Sequence, residues 1–116
     1  MRDRIRQSLL TLSSNWPAGT PGVVQEKRIV FYGAGEVAEI AFVTLQDVDL
    51  HLVGVVGDRR QGTFFGLPVH PVERLTATHL EGRPFDRLIV ASFEGARQMP
   101  PPLAACGFPM ERVSWL

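Results

Sequence analysis

Arg28-Ile29-Val30-Phe31-Tyr32-Gly33-Ala34-Gly35-Glu36-Val37-Ala38-Glu39-Ile40-Ala41 is the stretch whose reading decides the fold. Ile29 to Tyr32 is a short apolar run rich in β-branched and aromatic residues, which favours a strand. Gly33-Ala34-Gly35 interrupts it. From Glu36 onward, Val37, Ile40, Ala41 and Leu45 share one helical stripe. The pattern is strand, glycine turn, helix. Its spacing, Gly33-x-Gly35-x-x-Ala38, fits the dinucleotide fingerprint, whose last position is Gly or Ala. Gly33 would make the tight turn off the strand. Gly35, without a Cβ, would let a phosphate approach the backbone. Ala38 is small enough for the helix to lie close on the strand. The free N–H groups at the helix start would then face an anion. A glycine turn that serves only the chain reversal accounts for the same residues. Glu36 and Glu39 favour that plainer alternative, because they already complement the helix dipole and place negative charge where a pyrophosphate would sit.

The chain has 116 residues, the size of one domain. A domain of this length buries roughly two thirds of its unfolded surface and holds a core unaided. Hydrophobic residues make up 45% and charged residues 21%, an ordinary globular composition. Twelve basic residues balance twelve acidic ones, which argues against a whole-domain surface for nucleic acid. Cys106 is the only cysteine, so no internal disulfide forms, and a cytoplasmic setting is expected. Arg2, Asp3, Arg4 and Arg6 charge the N-terminus, which therefore reads as neither signal peptide nor membrane span.

Met1 to Asn15 reads as an amphipathic helix, with Ile5, Leu9 and Leu12 on a stripe that Trp16 continues. Pro17, Gly19, Pro21 and Gly22 end it as a linker. Residues 1–26 thus form a helix and linker ahead of a binding domain over 27–116. The stripe packs either on its own domain or against a second copy, and a homodimer is the expected assembly. A connection to an upstream module is a further alternative.

Past the first helix, Asp47 to Asp49 turn the chain into a second strand, His51 to Val56, apolar on both faces as a central parallel strand should be. It ends at Gly57-Asp58-Arg59-Arg60. Asp58 lies 23 residues after Gly35, near the roughly 20 expected for an acid that holds a ribose hydroxyl. A turn aspartate bonding its own backbone explains it as well. Arg59 and Arg60 would suit a 2′-phosphate or be solvated. Phe64 to Val69 suits an edge or very short strand because of Pro68. Pro71 to Leu75 reads as a short helix with proline near its start. Arg87 to Ala91 is another apolar strand, with Ser92 at its carboxyl end, where open α/β sheets place ligands. Three prolines keep Met99 to Pro102 out of a helix interior, and Leu103 to Cys106 makes at most a helical turn, closed by Gly107. Arg112 to Leu116 reads as a last strand. Alternating strands and helices imply an α/β, Rossmann-like three-layer fold with a parallel five-stranded sheet in the order 3-2-1-4-5 and an N-terminal helix.

Catalytic signatures are sparse. Tyr32 and Lys27 are the only residues of their kinds, so no Tyr-x-x-x-Lys pair exists. His51, His70 and His79 lack metal-ligand spacing, and one cysteine cannot complete a thiolate site. His51 starts a strand, and His70 and His79 read as loop-like or helical. No serine sits in a Gly-x-Ser-x-Gly elbow. No catalytic residue and no metal ligand is therefore assigned.

Val30-Phe31-Tyr32-Gly33-Ala34-Gly35-Glu36-Val37-Ala38, the strand end Val56-Gly57-Asp58, the segment Phe65 to Val69 and the final Gly107 to Val113 together resemble one domain type. It is similar to the small Rossmann-like domain at the front of bacterial nucleotide-sugar dehydratases and epimerases of polysaccharide synthesis. It is similar, too, to the domain that follows a winged helix in some bacterial regulators linked to surface polysaccharides. The resemblance covers Lys27 to Leu116. It implies a nucleotide or nucleotide-sugar ligand, NAD(P) among them, near Gly33, Gly35, Val37 and Ser92. It leaves open an upstream or separate partner that supplies a winged helix or a catalytic half; no winged helix lies in this sequence, so the resemblance does not imply DNA binding by this chain. The sequence departs from the pattern at Gly57, where an acidic residue is expected, and Asp58 is left as the substitute.

The leading expectation is a non-catalytic, sensory or regulatory nucleotide-binding module. Its site would be drawn from Gly33, Ala34, Gly35, Glu36, Val37, Asp58, Arg59 and Ser92. The rivals are the NAD(P)-binding part of a sugar-nucleotide oxidoreductase or epimerase and an empty dimerisation scaffold.

Overall fold

A computed structural model of the chain describes residues 2–14, 27–33, 35–57, 63–76, 79–91, 101–105 and 107–115. In chain order its elements are α1 (Arg2–Ser14), β1 (Arg28–Tyr32), α2 (Glu36–Thr44), β2 (His51–Val56), β3 (Thr63–Phe64), β4 (Leu67–His70), β5 (His79–Leu80), β6 (Arg83–Pro84), β7 (Arg87–Val90), α3 (Pro101–Ala105) and β8 (Val113–Trp115). Single 3₁₀ turns occupy Leu45–Asp47, Val72–Arg74 and Met110–Arg112.

The sheet runs β3-β4-β2-β1-β7-β8. β1 is its centre and pairs parallel with β2 on one side and with β7 on the other. β4 adds parallel to β2, and β8 adds parallel to β7. The five-strand expectation is corrected here. A sixth strand, β3, pairs antiparallel with β4 at the edge, so the order of the whole sheet differs from the one expected. Without β3, the five parallel strands stand third, second, first, fourth and fifth in chain order.

The extra strand exists because Phe65-Gly66 reverses the chain. Both residues have positive φ, +50° and +82°, the backbone of a two-residue hairpin turn whose twist suits the strands it joins. Pro68 sits opposite Thr63 in that hairpin, inside the sheet and one strand from its edge.

Strand side chains alternate between two cores. Ile29, Phe31, Val55, Ile89 and Ala91 face one way, toward Val37, Ala38 and Ala41 of α2 and Ile5 and Leu9 of α1. Ile5 and Leu9 of the N-terminal stripe are therefore buried within their own chain, with Leu12 partly buried against the same core; Trp16 and the expected linker of Pro17, Gly19, Pro21 and Gly22 lie outside the described residues. Lys27 ties the end of α1 to the sheet: its Nζ donates to Ser13 O at 3.0 Å and pairs with Asp49 at 3.3 Å. A cation is favourable at that carbonyl-rich helix end.

Val30, Val56, Leu88, Val90 and Val113 face the other way. A regular helical layer was expected there. Among the described residues the cover is instead the Val72–Arg74 turn, the β5–β6 hairpin and the short α3. Leu75, Leu80, Phe85, Leu103 and Phe108 supply the apolar contacts. Leu80 lies directly over Gly54, where a Cβ would stand 2.7 Å from Leu80 Cδ2. The register slips by one residue between Ile29 and Val30 of β1, opposite this glycine's neighbour Val53, as a bulge does. His70 and His79, read as loop-like or helical, are a strand end and a strand start. α3 begins at Pro101, where a missing N–H costs nothing. It closes as expected before Gly107, with Phe108 N–H donating to Leu103 O at 3.1 Å. No helix among the described residues is long and apolar enough to cross a membrane.

Candidate functional site

Gly33 continues β1 by one residue, its N–H donating to Val56 O at 2.8 Å. Its φ is +104°, and a Cβ added there would lie 2.9 Å from the backbone oxygen of Ala91. Both the backbone angle and the close approach of the β7 end require glycine at this position. Gly57 closes the same edge. Its N–H donates to His70 O at 3.1 Å, and a Cβ on it would stand 3.9 Å from Gly33 Cα. The carboxyl ends of β1, β2, β4 and β7 thus meet around Gly33. β2 and β4 lie to one side of β1, with β7 and β8 to the other. The direction of chain progress reverses beside β1, and open α/β sheets bind ligands at such a point.

α2 starts from this edge. Gly35 is its N-cap, with φ −88° and ψ −163° and no side-chain cap. The first intrahelical bond runs from Glu39 N–H to Gly35 O at 3.0 Å. The N–H groups of Glu36, Val37 and Ala38 have no intrahelical acceptor, as at any helix start. Gly35 differs from Gly33 in one respect. Its φ is ordinary for any residue, and no described atom lies within 4 Å of an added Cβ. Nothing in the described packing asks for glycine there.

The other expected residues divide clearly. Glu36 and Glu39 are exposed on the first turn of α2, and neither forms an ion pair among the described residues. Val37 is only 5% exposed and packs in the core, so only its backbone faces the site. Ala38 is fully buried between helix and sheet, the close contact that a small third position allows. Ala34, Asp58, Arg59 and Ser92 lie outside the described residues. The structure brings Gly33, Gly35 and Glu36 to one edge and does not test the rest of the set.

His70 is a group at this edge that the sequence pattern did not suggest. It ends β4, its carbonyl holds Gly57, and its Nδ1 lies 3.7 Å from Glu81 Oε1. The same oxygen pairs with Arg74 Nε at 3.4 Å. The only signal for it was that an apolar strand carrying Pro68 could extend two residues further. No group of three His, Cys, Asp or Glu side chains among the described residues is placed to hold a metal ion. No protein-family profile, no curated protein and no solved structure matches the chain.

Proposed function

We propose that the chain is a binding module for a nucleotide or nucleotide sugar, without catalysis of its own. The ligand's phosphates would rest on the N–H groups of Glu36, Val37 and Ala38. One observation carries this reading: Gly35 is glycine although neither its φ nor any described neighbour requires it. A bare backbone at an uncapped helix start, on the carboxyl edge of a parallel sheet, suits an approaching anion. The resemblance of residues 27–116 to the front domain of nucleotide-sugar dehydratases and epimerases extends the proposal to a sensory or regulatory part in bacterial surface-polysaccharide metabolism.

Titration calorimetry with NAD, NADP and a set of nucleotide sugars tests it. Gly35→Val fills the open space with a branched side chain. It should weaken binding tenfold or more, about 1.4 kcal/mol, with the circular dichroism spectrum unchanged. Glu36→Gln removes a negative charge beside the phosphates and should leave binding equal or tighter. A parent chain that binds none of these ligands, or a Gly35→Val variant that binds as well as the parent, would overturn the reading.

A further inference from the structure

At the carboxyl edge the last residues of five strands stand in one register. His70 of β4 lies opposite Val56 of β2, and Val56 opposite Tyr32 of β1. Tyr32 lies opposite Val90 of β7, and Val90 opposite Trp115 of β8. Val56 and Val90 belong to the second core, and Tyr32 and Trp115 pack against it partly buried. These four side chains therefore share the face away from α2. At the far end of the row, His70 is engaged with Glu81.

Two residues inward, the corresponding row is Gly54, Val30, Leu88 and Val113. Its side chains are aliphatic and buried, and Leu80 covers its Gly54 end. The outer row departs from that pattern at Tyr32 and Trp115, which both remain between buried and exposed. Tyrosine and tryptophan suit a boundary where one end of the side chain is packed and the other wet. Adjacent strands lie about 4.8 Å apart, so the two side chains start about 10 Å from each other. Val90 stands between them and is 6% exposed. Gly33 directly follows Tyr32, is itself partly exposed and carries no side chain. A ligand whose phosphates rest on the first turn of α2 therefore reaches the Tyr32 ring by passing over Gly33.

We propose that Tyr32 and Trp115 form a stacking platform for the base of the bound nucleotide. The proposal rests on the nucleotide reading above. It adds the direction in which the ligand extends: away from the end of β2, where Gly57 offers no side chain, and toward β7 and β8. Every base has a π face, so an aromatic platform tolerates different bases. Purine and pyrimidine nucleotides both bind it, and phosphates without a base bind weakly.

The test uses the full chain carrying Trp16→Phe, which leaves Trp115 as the only tryptophan. Its emission then reports contact with the base. Adenosine diphosphate and uridine diphosphate should each quench it saturably. Inorganic pyrophosphate should bind at least tenfold more weakly and leave the emission unchanged. By calorimetry, Trp115→Leu should weaken binding of both nucleotides tenfold or more, whereas Trp115→Phe, which keeps a ring, should retain most of the affinity. Should Trp115→Leu fail to fold, the emission of the Trp16→Phe chain and the preference for nucleotide over pyrophosphate still decide the matter. The two readings fail separately. If the nucleotides bind and Gly35→Val weakens them, but Trp115 emission is unmoved and Trp115→Leu binds as the parent does, the platform is refuted and the phosphate site stands. If the nucleotides quench Trp115 and Gly35→Val binds as tightly as the parent, the platform stands and the phosphate site is refuted. A parent that binds neither nucleotide overturns both.

Discussion

The two faces of the sheet are covered by different means. On one face, two helices lay continuous stripes over Ile29, Phe31, Val55 and Ile89. On the other, among the described residues, a six-residue hairpin, a 3₁₀ turn and a short helix cover Val30, Val56, Leu88 and Val90. Hydrophobic burial is non-directional, so a sheet face needs apolar side chains at the right height and not a particular element. The helical face distributes that burial over many residues. Among the described residues the irregular face concentrates it in a few, and Leu80 reaches the sheet only because Gly54 leaves room for it.

Substitutions in the two cores should break or sharpen this contrast. Phe31→Ala empties the centre of the helical face and should lower the unfolding free energy by about 3–5 kcal/mol in urea denaturation. Leu80→Ala should cost about 2–5 kcal/mol, although the hairpin that carries it has only two residues per strand. A cost under about 1 kcal/mol for Leu80→Ala, below the usual range for such truncations, would mean that the hairpin adds little to the core.

The glycines come next. Gly33→Ala meets both an unfavourable φ and a backbone oxygen that cannot step aside, and should destabilise by about 1–3 kcal/mol or more. Gly54→Ala presses on the tip of Leu80 and should cost about 1–3 kcal/mol. The double variant Gly54→Ala with Leu80→Ala should cost less than the sum of the singles, because the truncated side chain no longer meets the new methyl. The smallest effect is expected for Gly35→Ala, within about 0.5 kcal/mol by thermal or chemical denaturation. A large loss there would show that glycine serves the fold at that position after all.

These contrasts mark where sequence reading succeeds. β1, the glycine turn and α2 were legible because apolar periodicity and turn chemistry are local properties of the residues concerned. β2 and β7 were legible for the same reason. The two hairpins were not. Their turns are Phe65-Gly66 and Glu81-Gly82, both with positive φ at the first residue, where Asn or Asp is the usual signal. Contacts distant in sequence hold these residues in that backbone. The Phe65 ring, half exposed at 53%, stacks on Phe42 at 4.4 Å. Glu81 is held between Arg74 and His70. A local preference of about 1 kcal/mol yields to such contacts.

The candidate sites divide in the same way. Gly33 and Gly35 look alike in the sequence, and only the approach of Ala91 O separates a glycine that the fold demands from one that it leaves open. Arg28 and Asp86 are 58 residues apart and share no motif; only the pairing of β1 with β7 puts them side by side. By itself, the sequence determined the strand–turn–helix start and the parallel neighbours of β1, since these follow from side-chain pattern within a short window. Tertiary structure alone decided what covers the second face, which glycine is structurally required and which charges meet, since each depends on groups that only the folded chain brings within a few ångströms.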